Sequence, residues 1–107
     1  MIRAVRTLDC AKKVRIHYLL PRPFLLDDLH AFSDAVVTVR EFSRYVAGAK
    51  DHVDIVKHGE LAAAAVVGEN RLVVTFGKLR EVYPEEGIGA FERRLADAGF
   101  GEVGERA

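Results

Sequence analysis

The chain contains no tryptophan and no glutamine, and only one asparagine (Asn70), one methionine and one cysteine (Cys10). A single thiol excludes an internal disulfide and any cysteine-based metal cluster. The scarcity of amide and sulfur side chains, with arginine outnumbering lysine eleven to five, points to a thermophilic source. No apolar run approaches the roughly 20 residues that a bilayer-spanning helix needs, so a membrane partner is not expected. The N-terminus carries Arg3 and Arg6 with no apolar stretch of the secretory kind behind them, which predicts a cytoplasmic location.

What is present suits one domain. A chain of 107 residues buries roughly two-thirds of its unfolded surface, enough for a core without disulfide or metal. "IRAVRTL" and "KKVRIHYLL" are rich in β-branched residues. The second alternates, with Val14, Ile16, Tyr18 and Leu20 on one face and Lys13, Arg15, His17 and Leu19 on the other. "PRPFLLDDLHAFSDAVV" places Leu25, Leu26, Leu29 and Phe32 at helical spacing behind Pro23 and reads as an amphipathic helix. "VVTVREF" reads as a strand, and Ser43 then opens a helix "SRYVAGAKDHVDIVKHG" that ends at Gly59. The alternation of Val53 and Ile55 leaves a strand "HVDIVK" as the alternative there. "ELAAAAVV" and "RLVVTF" flank "GEN" as a hairpin, and Pro84 opens a last helix with Ile88, Phe91 and Leu95 inward and Gly99 as its cap.

The expected fold is therefore α+β, a two-layer sandwich with helices packed on a largely antiparallel sheet in the order β-β-α-β-α-β-β-α. Residues 1–100 form the domain and 101–107 a loose tail.

Charge is unevenly distributed. Residues 1–22 hold six cations against Asp9, a net of +5, whereas residues 81–107 hold three arginines against seven acids, a net of −4, and the whole chain is neutral. Such asymmetry suggests a polyanion-binding surface. Arg3, Arg6, Lys12, Lys13, Arg15, His17 and Arg22 are the candidate nucleic-acid contacts, centred on a basic β-hairpin that would follow an RNA backbone by neutralising phosphates. The competing reading pairs the basic end with the acidic helix, within or between subunits. Stacking platforms for bases are scarce, since only Tyr45 and Tyr83 escape core-like spacing.

Catalytic patterns are weaker. Lysines behind Cys10 favour a thiolate, but His17 lies seven residues on, more than ~20 Å of strand rise from the turn, so the thiol reads as incidental. His30 with Asp27 and Asp34, and His58 with Asp54, have metal-compatible spacing that also arises by chance on a solvated helix. "EEGIGAFE" lacks the lysine of a phosphate loop. The sequence implies no cofactor and no reaction. Two function classes lead, an RNA-binding module using the basic hairpin and a homo-oligomeric structural or adaptor protein without a nucleic-acid role, and an enzyme comes third. The first two separate on whether the N-terminal cations converge on one open face or are matched by Asp and Glu.

Overall fold

Strand β2 (Val14–Leu19) is where the alternating pattern has its clearest consequence, because Val14, Ile16 and Tyr18 are all fully buried. It pairs antiparallel with β1 (Ile2–Leu8), Ala4 opposite Tyr18 and Arg6 opposite Ile16. The computed structural model describes residues 1–9, 12–77 and 83–107. Five further strands complete the sheet: β3 (Val36–Arg40), β4 (His52–Lys57), β5 (Leu61–Val66), β6 (Arg71–Phe76) and β7 (Val103–Arg106). Their spatial order is β3-β4-β5-β6-β2-β1-β7, antiparallel throughout except for the β1–β7 pair.

One face of the sheet carries the core. Ile2, Ala4, Val14, Ile16, Tyr18, Val53, Ile55, Ala63, Leu72, Val74 and Phe76 are buried on it, in one core with helix α1 (Glu85–Asp97), which turns Ile88, Phe91 and Leu95 inward. Phe91 sits at the hub, its ring centroid 5.7 Å from each of Tyr18, Phe32 and Phe76. Gly99 ends α1 with φ +93°, and its neighbour Phe100 returns an N–H to the Leu95 carbonyl at 3.0 Å while stacking on Phe24. The small side chains of β5 sit in the middle of the sheet, with Ala63 and Ala65 buried on the core face.

The expected two-layer sandwich with three helices is not what forms. The fold is a seven-stranded mixed sheet, with α1 the one α-helix among the described residues and two 3-10 stretches beside it. The segment expected to be a helix from Ser43 to Gly59 splits into a 3-10 turn at Phe42–Arg44 and strand β4. Period-two burial decided this: Val53 and Ile55 go into the core between β3 and β5, and Gly48 at φ +80° turns the chain before them. The helix expected after Pro23 becomes a 3-10 stretch, Leu26–Phe32. Its inward residues are Asp28 and Phe32, while Leu25 and Leu26 stay exposed, because Asp28 is drawn inward by Arg22.

The expected loose tail is also corrected. Gly101, at φ +85°, brings the chain back along β1. There β7 joins the sheet, Ile2 donating to the Glu102 carbonyl and Ala107 to that of Ala4. Among the described residues no helix is long and apolar enough to cross a membrane.

Candidate functional site

The second face of the sheet has no layer over it among the described residues. Register fixes its rows. One runs Thr38, Asp54, Ala64, Val73, His17, Val5 from β3 to β1, and the next runs Val36, Val56, Ala62, Thr75, Arg15, Thr7. Beyond them Arg40 stands opposite His52, and Leu19 lies between Arg71 and Arg3. Ala62, Ala64 and Val73 make a small apolar middle, with Asp54 on one side of it and Arg15 and His17 on the other. Val36 is 70% exposed and Val56 43%, and Ala62 and Ala64 are exposed as well.

The cations proposed to hold RNA do not gather on this face. Arg3, Arg15 and His17 share it, but Arg3 pairs with Glu105 at 3.5 Å and Arg15 approaches Asp9 at 3.7 Å. Lys12 and Lys13 occupy the end of the hairpin, where their backbone N–H groups both donate to Asp9, to its carbonyl and its side chain. Lys12 has φ +59°, the single non-glycine residue in left-handed conformation among those described. Neither lysine has an acidic partner among the described residues. Cys10 lies outside them.

Arg6 points to the opposite, helix-bearing side and donates to Glu85 of α1 at 2.8 Å. Arg22 is at the far end of the molecule. Its guanidinium grips both Asp28 oxygens at 2.8 and 2.9 Å, donates to the Ala98 carbonyl that ends α1, and lies 3.8 Å over the Phe100 ring. Burial alone would push the Asp28 carboxyl up, but hydrogen bonds from Arg22 and from the Leu25 N–H outweigh it and hold it below the ordinary value. Arg22 is thus a strut between the 3-10 stretch and α1.

A cleft of about 360 Å³ separates α1 from β1 and β7, lined in part by Arg6, Glu85, Gly89, Glu92 and Arg106. No spacing in the sequence pointed to it. The buried Tyr18 hydroxyl donates to Glu92 at 3.2 Å, and Arg106 grips the same carboxylate. Burial and then the Glu92 charge push the Tyr18 hydroxyl far up, so it remains a donor rather than a proton acceptor. With each glutamate already engaged by an arginine, the cluster ties the helix to the sheet.

The His–Asp spacings do not converge either. His30 Nδ1 meets the Asp27 carbonyl, and Asp34 is held by Arg94 and Lys57, which keep its carboxyl well below the usual range. Sequence reading missed Arg40, Asp54 and Arg71 as members of the open face. Alternation in "RLVVTF" separates Arg71, Val73 and Thr75 from the buried Leu72, Val74 and Phe76 and was the available signal. No protein-family model matches the chain, and neither the curated proteins nor the solved structures contain a match.

Proposed function

We propose that the chain is a homo-oligomeric structural or adaptor module rather than an RNA-binding one. The observation that carries this reading is the fate of the basic N-terminus: Arg3, Arg6, Arg15 and Arg22 face Glu105, Glu85, Asp9 and Asp28. Two of these pairs, Arg3–Glu105 and Arg6–Glu85, join the basic end of the chain to its acidic end inside one molecule. The Arg3–Glu105 and Arg6–Glu85 pairs are exposed on both sides and contribute little stability each, but all four pairs lower the positive charge a polyanion would need. The rings best exposed for stacking, Tyr45 and Tyr83, lie on loops outside the basic hairpin. The open apolar face and the free sheet edges favour association with protein.

Retention of a mixed RNA pool tests the choice. If Lys12, Lys13 and Arg15 each neutralised a phosphate of single-stranded RNA, affinity would fall on the order of 20-fold over a fourfold rise in salt. The expected result is weak retention with no such slope, unchanged in a Lys12→Glu, Lys13→Glu, Arg15→Glu triple variant. Tight retention at low salt that the triple variant abolishes would establish the RNA reading instead.

A further inference from the structure

We infer that β3 is the contact by which two copies associate, pairing antiparallel with β3 of a second copy about a two-fold axis at Thr38. This rests on the self-association proposed above and assigns it a surface. The sheet has two edges, and they are built differently. The β7 edge is four residues long and carries Gly104, Glu105 and Arg106, so charge and a flexible residue blunt it. The β3 edge reads Val36-Val37-Thr38-Val39-Arg40, with no proline, no lysine and an unbroken register against β4. Its outward backbone donors and acceptors have no strand beyond them among the described residues. Unguarded edges of this kind recruit another strand.

The occupant follows from the order of side chains along the strand. With the axis at Thr38, Val37 falls opposite Val39 of the partner subunit, and Val39 opposite Val37 of the partner subunit. Both valines belong to the core side, where they end the rows that contain the buried Ile55 and Val53, yet they are only half-buried themselves. A second copy continues those rows and completes their burial. On the open side the same axis sets Thr38 against Thr38 of the partner subunit and Val36 against Arg40 of the partner subunit, with no like charges opposed.

The flanks fit as well. Phe42, Tyr45 and Val46 follow β3 directly and are exposed, Tyr45 by 84%. Antiparallel pairing carries this apolar turn toward the other end of the partner strand, where Val36 is exposed. Strand pairing alone over five residues is a small interface. The two flanking contacts extend it toward the size that specific dimers bury.

Crosslinking at the axis tests the inference. Thr38→Cys in a Cys10→Ser background puts two thiols directly across the axis, within ~5.5 Å between Cβ atoms and so within reach of a mild oxidant or a short bis-maleimide. Thr38 is exposed, so the change leaves the fold intact. Ala64→Cys in the same background reports instead on pairing through the open face. The expected result is a covalent dimer that persists on dilution and forms roughly tenfold faster at position 38 than at 64. A dimeric native protein that crosslinks at 64 and not at 38, or equally at both, overturns the edge pairing while leaving self-association intact. A native protein that sediments as a monomer overturns both.

Discussion

Phe91→Ala is expected to lower stability by about 4 kcal/mol, the largest loss from any single side chain in this fold. Phe91 is fully buried and is the one residue of α1 whose ring meets aromatic neighbours from β2, β6 and the 3-10 stretch. Truncation therefore removes transfer energy, opens a cavity that three rigid rings cannot close, and deletes the ring contacts themselves. For a chain of this size such a loss lowers Tm by roughly 20 °C. Phe91→Leu keeps most of the volume and is expected to cost far less. Chemical denaturation of the three proteins checks this. A loss in Phe91→Ala below about 1 kcal/mol would mean that α1 does not pack on the sheet as described.

Arg22→Ala is expected to cost about 3 kcal/mol, since it leaves a nearly buried carboxylate without its cation. Asp28 is the one buried charged residue among those described, and without Arg22 it retains the Leu25 N–H as its donor. The same substitution frees the Ala98 carbonyl and uncovers Phe100. Arg22→Lys should recover little, because an ammonium cannot bridge two oxygens and a carbonyl while lying flat on a ring. The effect has a pH signature. The folded-state carboxyl of Asp28 lies below its unfolded value, so the stabilisation is fully present above about pH 4 to 5 and fades as acid carries the pH down through the lower folded value. The stability gap between the native protein and Arg22→Ala should therefore narrow in acid. A gap independent of pH would assign the loss to packing on Phe100 alone.

Where local pattern and tertiary context agreed, the sequence was readable. The β1–β2 hairpin, the β5–β6 hairpin and the cap of α1 at Gly99 all follow from alternation or from glycine placement. The 43–59 segment misled because Tyr45, Ala49, Val53 and Val56 also fall at helical spacing. Neighbouring strands on both sides made the period of two prevail. Tail pairing depends on a parallel partner about a hundred residues away, which no local signal encodes. The candidate site suffered most from this. Arg6 finds Glu85 and Arg22 finds Ala98 across more than seventy residues, so a basic cluster in sequence is dispersed to four places in space.

Sedimentation of the native protein at low and at high salt is the most direct test of the central claim, that this chain assembles with itself through backbone pairing and apolar contact and not through opposite charges. The account predicts a species of twice the 11.9 kDa chain mass at micromolar concentration, undiminished in high salt because strand pairing and apolar burial are not screened. A species of the single-chain mass under both conditions would contradict it, and a dimer that dissociates as salt rises would show that charge, not the strand edge, holds the copies together.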